Sequence, residues 1–248
     1  MENIVVVSCN YNGNIFVKNN ILSVFNQTLK PKTHYFIDDL STDGCYNIAE
    51  KTINDNSIDY IDLIKNKEKK YKIKNLYDLI HDKVNDEDII VIVDGDDWLL
   101  NEFVLEKIYN SYDKFKCDYL YSNFVYSHNG HLGICKEIPD KDWEPYESQW
   151  ITSHISTFKA KKFKEISYKN FLDKSGKWFE MGCDQAYVLP ILENIRNKGN
   201  LLKDVVFLNE PLYVYHHTGN PSKPRGGSLG IKAHNAVTTI RQRGICNE

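Results

Sequence analysis

Four runs of aliphatic and β-branched residues recur in the first hundred positions, each set off from the next by a segment of helical period. The runs are "NIVVVSCNY" (3–11), "THYFIDD" (33–39), "IDYIDLIKN" (58–66) and "EDIIVIVD" (87–94). Between them, apolar residues fall at 15, 16, 17, 21, 22, 24 and 25, in "CYNIAEKTINDN" (45–56), and at 73, 76, 79, 80 and 84, spacings that predict three helices. A continuous apolar run suits a strand buried on both faces. The order βαβαβαβ therefore predicts an α/β fold, a doubly wound and mostly parallel central sheet flanked by helices.

Such sheets bind ligands outside the carboxyl ends of their strands. Three of those ends are polar here: Asn10–Asn12, Asp38–Asp39 and Asp94–Asp97. The last is the most constrained, because "IIVIVDGDDWLL" sets three carboxylates at the exit of a buried strand. Solvated turn residues are one reading of them. A divalent cation is the other: it relieves their repulsion, hard oxygen ligands suit Mg²⁺ or Mn²⁺, and the ion neutralises a diphosphate leaving group.

A net charge of -3 argues against a nucleic-acid partner. The basic runs at Lys65–Lys74 and Lys159–Lys164 read as solvated helix faces, with service to a phosphate or an anionic surface as the alternative. Six cysteines form no C-x-x-C pair, and a chain of 248 residues needs no staples, so free thiols in a reducing compartment are expected. The N-terminus lacks a basic region and a long apolar stretch, and no window holds the ~18 apolar residues of a membrane span. A cytoplasmic, soluble protein without a transmembrane segment is the expectation.

The second half is less regular. A helix is predicted over 101–115 with Asn101 as N-cap, and 117–137 reads as a strand pair turning at Asn129-Gly130. Residues 139–150 read as loop, "ISTFKAKKFKEI" as a strand leading into a helix, and "DQAYVLPILENI" as a helix interrupted or kinked at Pro190. "DVVFLNEPLYVYHH" reads as a late strand pair, and Thr218–Gly230 as a loop able to move.

Five pieces of the first half, in order, resemble the family 2 glycosyltransferases with the GT-A nucleotide-diphospho-sugar fold. They are "VVVSCNYN" (5–12), "ILSVFNQTLKP" (21–31), "FIDDLSTDG" (36–44), "KIKNLYDLI" (72–80) and "IVDGDDWL" (92–99). The resemblance implies one GT-A domain over 1–248: a nucleotide-sugar-binding half (1–105), a smaller mixed-strand acceptor and catalytic half (106–230), and a C-terminal helix or tail (231–248). By the same resemblance Asn10 and Tyr11 line the base pocket, and Asp39 or Asp38 meets the nucleobase. An acceptor carboxylate suits the imide N–H of uracil, so the implied donor is a UDP-sugar. Asp96 is expected to hold ribose or metal, and Asp97 the metal. Asp94 is expected to orient a basic residue or help with the cation. Lys74 stands where the family often carries Arg, facing the diphosphate or Asp94, without the bidentate fork.

The inverting reaction that the resemblance implies needs a carboxylate base to take a proton from a glycan or other hydroxyl acceptor. Asp184, opening a helix in "EMGCDQAYVLPIL", is the candidate, with Glu180 second and Asp173 weaker; helix capping is the competing role. His216 or His217 is a candidate metal ligand, one at most, because neighbours on a strand point opposite ways. Lys223 and Arg225 are candidates to close over the diphosphate. Trp143, Trp150 and Trp178 are weighed between core packing and a sugar platform, and His154 is a modest acceptor-side candidate. Two other readings are a non-catalytic nucleotide-sugar or carbohydrate-binding module and a sugar nucleotidyltransferase. The latter is disfavoured because no Arg or Lys precedes Lys18 in the first loop.

Overall fold

The computed structural model describes residues 3–216 and 228–246. Strand β1 (Ile4–Asn10), helix α1 (Val17–Phe25), β2 (Thr33–Asp38), α2 (Cys45–Asp55), β3 (Ile61–Lys65), α3 (Tyr71–Lys83) and β4 (Ile89–Ile92) alternate as the apolar periods predict. After them come a short β5 (Trp98–Leu99), α4 (Val104–Phe115), β6 (Tyr119–Tyr126), β7 (Ser156–Lys159) and α5 (Ala160–Lys164). A 3-10 turn (Tyr168–Phe171), α6 (Cys183–Asn197), α7 (Leu201–Asp204), β8 (Val205–Tyr215) and α8 (Ser228–Arg243) complete the described chain.

Among the described residues, eight strands form one sheet in the order β3-β2-β1-β4-β7-β6-β8-β5. Strands β3, β2, β1 and β4 are mutually parallel. Strand β7 runs antiparallel to both β4 and β6, β8 is parallel to β6, and β5 returns antiparallel to β8. The sheet is thus mostly parallel, and the carboxyl ends of β1, β2 and β4 share one edge.

Burial explains the central strands. Ile4 to Val7 and Ile89 to Val93 are all buried; each such side chain contributes about 1.5–3 kcal/mol relative to exposure. Helix α1 packs Val17, Ile21 and Val24 inward, and α3 packs Ile73, Leu76, Leu79 and Ile80, one apolar stripe each.

Four expectations for the second half are corrected. "DVVFLNEPLYVYHH" is not a strand pair: Val205–Tyr215 is one strand, and its two halves lie in line along β6. The register jumps between Ser122↔Leu208 and Asn123↔Pro211, so Asn209 and Glu210 are looped out where Pro211 lacks a ladder N–H. After β6 the chain does turn at Asn129-Gly130, Gly130 with φ of 70°. The return leg, however, forms no strand among the described residues: it makes the isolated Val125–Leu132 bridge, with the Tyr126 N–H donating to the His131 carbonyl and the Gly133 N–H to the Phe124 carbonyl. Helix α6 is not interrupted at Pro190; Tyr187 to Leu192 are all buried around it, and that packing outweighs the lost N–H. Asn101 caps the turn before α4, accepting the Phe103 N–H at 3.0 Å, rather than the helix itself. All six cysteines are free thiols. No helix among the described residues is long and apolar enough to cross a membrane.

Candidate active site

The ends of β1 and β2 are tied together by their loops. The Asn12 N–H donates to Ser41 Oγ at 3.0 Å, and Asn12 Oδ1 accepts the Thr42 N–H at 2.8 Å. Asp43 Oδ2 accepts the Asn14 N–H at 2.9 Å, and its Oδ1 accepts the Cys45 N–H at 3.1 Å where α2 begins. Asp43 is therefore a clamp between loops. Burial works against its charge, but the Cys45 thiol, donating to Oδ1 at 2.7 Å, and then these two N–H groups hold its carboxyl below the usual range.

Asp38 and Asp39 are both buried. Asp38 ends β2 with no hydrogen-bond partner on its carboxylate among the described residues. Asp39 is fully engaged: it accepts the N–H groups of Lys70 (2.9 Å) and Tyr71 (2.8 Å) and the Asn66 amide (2.7 Å), and it pairs with Lys69 at 3.2 Å. Lys69 also lies over the half-exposed Tyr11 ring. Asn10 is buried and donates to the Cys45 sulfur at 2.8 Å.

The Asp94–Asp97 turn is held from three sides. Buried Asn20 of α1 donates to the Asp94 and Asp97 carbonyls, both at 2.9 Å. Gly95 is required by close approach, since a Cβ there would lie 2.7 Å from the Cys9 carbonyl and from Asn10. Tyr213 of β8 accepts the Asp94 N–H at 2.9 Å and donates to Asp97 Oδ2 at 2.8 Å. Asp97 Oδ1 accepts the His216 N–H at 2.6 Å. Burial, then Asp96 and Asp94, pushes the Asp97 carboxyl well above its ordinary value. Asp96 is open to solvent at the mouth; the surrounding protein, then Asp94, pushes its carboxyl up to about 6.

The second half brings Asp184 to this edge. Lys72, in the first turn of α3, places its ammonium 2.5 Å from Asp94 Oδ1 and 2.6 Å from Asp184 Oδ1. Burial opposes ionisation of Asp184, but the Lys72 ammonium beside it keeps its carboxyl below the usual range. Asp184 therefore binds a lysine rather than capping α6, whose N-cap is Gly182 with φ of 72°. His154 stacks between Tyr213 (5.0 Å, 10°) and Tyr215 (5.2 Å, 19°), and burial lowers its basicity, leaving a neutral ring. Ligand atoms of Asp94, Asp97 and His154 all lie within 4.8 Å of one another. Two carboxylates and a neutral imidazole fit a Mn²⁺-type ion, and each carboxylate oxygen that accepts one hydrogen bond keeps a further lone pair.

Several candidates fall elsewhere. The Lys74 ammonium meets Asp78 and lies over Trp178, so Lys72 and not Lys74 is the partner of Asp94. The exposed Glu180 pairs with Lys232 at 3.2 Å, and Asp173 accepts within its own turn from Ser175 and Lys177. His216 turns its ring Nδ1 to Ser127 Oγ at 3.0 Å. His217, Lys223 and Arg225, with most of the 218–230 loop, lie outside the described residues. Trp143 is buried, and Trp150 and Trp178 pack against the core. Residue-type reasoning missed Lys72, Asn20 and Tyr213. A signal existed for Lys72, which shares a helix face with Asn75, Leu76 and Leu79, all buried.

Residues 4–175 match the model of glycosyl transferase family 2. Among solved structures, S. aureus TarS 1–349 in complex with UDP is 16% identical with a TM-score of 0.62, covering 97% of this chain and 65% of that one. Glucosyl-3-phosphoglycerate synthase from Mycobacterium tuberculosis, bound to Mn²⁺, UDP and glucosyl-3-phosphoglycerate, is 13% identical with a TM-score of 0.63, covering 97% and 79%. Mannosyltransferase PcManGT from Pyrobaculum calidifontis, with GDP-Man and Mn²⁺, is 13% identical with a TM-score of 0.59, covering 96% and 62%. The chain spans 37% of the longer TarS chain. A search of curated proteins found no significant match. The family match covers well over half of the sequence, and the mixed sheet is that of the GT-A transferases: the protein belongs to glycosyl transferase family 2.

Proposed function

We propose that the chain is an inverting glycosyltransferase that moves a sugar from a nucleotide-diphosphate donor to an acceptor hydroxyl on a glycan or another molecule. A UDP-sugar is the donor of choice, because a buried carboxylate at the end of β2 suits a uracil imide, and TarS and the synthase were both solved with UDP. The observation that carries the reading is the shared ammonium: Asp184 and Asp94 both pair with Lys72, so the base candidate adjoins the acidic donor edge.

In this reading Asn10, Tyr11, Asp38 and Asp39 form the nucleoside end, residues 1–105 the donor half and 106–230 the acceptor half. Asp184 takes the proton of the acceptor hydroxyl as that oxygen bonds to the anomeric carbon. The bond from this carbon to the diphosphate oxygen breaks, and the nucleoside diphosphate leaves. A divalent cation, when bound, supplies positive charge to the departing diphosphate. Asp97 with Asp94 and His154 would hold it, Asp96 reaching the ribose or the ion; His216 or His217, one at most, is the alternative ligand. Tyr213 and Asn20 keep the carboxylates in place.

The test is UDP release from a panel of UDP-sugars, with Mn²⁺ and with chelator. Asp184→Asn is expected to bind UDP and Mn²⁺ normally and to lose transfer. Asp97→Asn is expected to lose metal-dependent binding. Release that ignores the metal, or none from any donor, would sink the proposal.

A further inference from the structure

The turn into α3 has an uncommon backbone. Tyr71 has φ of 61°, a left-handed state that costs a residue with a Cβ about 1–2 kcal/mol. Asp39 holds it there by accepting the N–H groups of both Lys70 and Tyr71. The next residue, Lys72, then runs into the cleft, where its side chain is only 17% exposed. There one ammonium touches two carboxylates from distant parts of the chain, Asp94 after β4 and Asp184 in the first turn of α6. The other hydrogen bond to Asp184, from the Tyr187 hydroxyl, is long at 3.5 Å. Lys74 and Lys70 are occupied by Asp78, and Lys69 by Asp39. Lys72 is the lysine of this run that both partners share.

We infer that Lys72 is a positioning residue of the transfer reaction, tying the donor-edge carboxylate Asp94 to Asp184 and aiming Asp184 at the acceptor. The inference rests on the reading of Asp184 as the base. Two carboxylates within reach of one ammonium repel each other once it is gone, and among the described residues Asp184 then keeps only the weak Tyr187 contact. A lysine does this with a single charge on a flexible stem. The geometry also sets a sign for the donor edge. The ammonium beside Asp94 opposes a second cation there, so its removal favours Mn²⁺ rather than weakening it.

The experiment compares wild type with Lys72→Met, Lys72→Arg, Asp184→Asn and the double variant Lys72→Met/Asp184→Asn. UDP-release kcat and donor KM are measured with a UDP-sugar that wild type turns over, and Mn²⁺–UDP affinity by calorimetry. Lys72→Met is expected to lower kcat roughly 100-fold, with donor KM within about threefold and Mn²⁺–UDP affinity unchanged or tighter. Lys72→Arg is expected to recover most of the kcat. The double variant is expected to match Asp184→Asn alone, because the two residues act as one unit. If Lys72→Met fails to fold, Lys72→Gln, which keeps hydrogen bonding without charge, takes its place. Parallel loss of kcat and Mn²⁺–UDP affinity marks a merely structural role and overturns the inference, as does a double loss equal to the product of the single ones. Wild-type kcat in Lys72→Met beside an inactive Asp184→Asn overturns the Lys72 inference alone. Wild-type kcat in Asp184→Asn overturns the base reading and the inference with it.

Discussion

The Tyr213 hydroxyl donates to Asp97 Oδ2 at 2.8 Å while accepting the Asp94 N–H at 2.9 Å. One phenol thus fixes both a side chain and the backbone of the acidic turn, and it comes from β8. Both partners are buried, so the bond is shielded from water. Tyr213→Phe keeps the ring stacked on His154 and removes only the oxygen. It is expected to cost about 1–3 kcal/mol of stability, because Asp97 and the Asp94 N–H lose a partner. Urea denaturation reads the loss, and Mn²⁺–UDP calorimetry should show weaker binding. Wild-type values in both would show that the hydroxyl is idle.

Asn20 of α1 holds the same turn by its backbone. Asn20→Ala leaves the Asp94 and Asp97 carbonyls without their amide donor and opens a small void in α1. A loss of about 2–4 kcal/mol is expected from the two bonds and the void together. Thermal melts with and without Mn²⁺–UDP should show a lower midpoint and a smaller ligand-induced rise. An unchanged rise would mean that the turn keeps its shape without Asn20.

Gly95 is a third support, and it acts through space. In Gly95→Ala the new methyl would sit 2.7 Å from the Cys9 carbonyl and from Asn10, so β1 and the turn must separate. The expected cost is about 1–3 kcal/mol, with Mn²⁺–UDP affinity down by roughly tenfold, equivalent to about 1.4 kcal/mol. A variant that binds like wild type would show that the turn has room to yield.

Asp39 gives a pH prediction. Burial raises its carboxyl, but the Lys70 N–H, Asn75, Asn66 and Lys69 together bring it below the ordinary value. A folded value below the unfolded one means that the stabilisation is present above about pH 4 and is lost as pH falls through the folded value. Asp39→Asn should therefore be less stable than wild type by about 1–3 kcal/mol at pH 7. That gap should shrink as the pH is lowered below about 4. Urea denaturation across this range checks it; a constant gap would show that the charge of Asp39 contributes nothing.

The first half was readable because its signals are local. Each strand of β1 to β4 is an unbroken apolar run, and each helix between them shows its own stripe. A parallel sheet then places the strand ends together without further information, which brings Asn10, Asp38 and the Asp94–Asp97 turn to one edge. The second half carries weaker local signals. Strand β8 reads as two pieces because Asn209-Glu210-Pro211 breaks its pattern, and only β6, lying alongside, makes it continuous. The lysines of α3 show the same limit. By motif position Lys74 was the natural partner of Asp94, yet a two-residue step turns a helix by about 200°. The face of Lys72, with buried Leu76 and Leu79, is the one that meets the cleft.

What the linear chain settled on its own was the fold class and the acidic strand ends, since periodicity and strand order act over a few tens of residues. Tertiary structure decided which groups complete that edge. Lys72 meets Asp184 across 112 positions, and His216 meets Asp97 across 119. No pattern in the intervening sequence encodes those distances. They follow from how β8 and α6 pack onto a sheet whose first four strands already stand, and from the need of each buried carboxylate for a donor within reach.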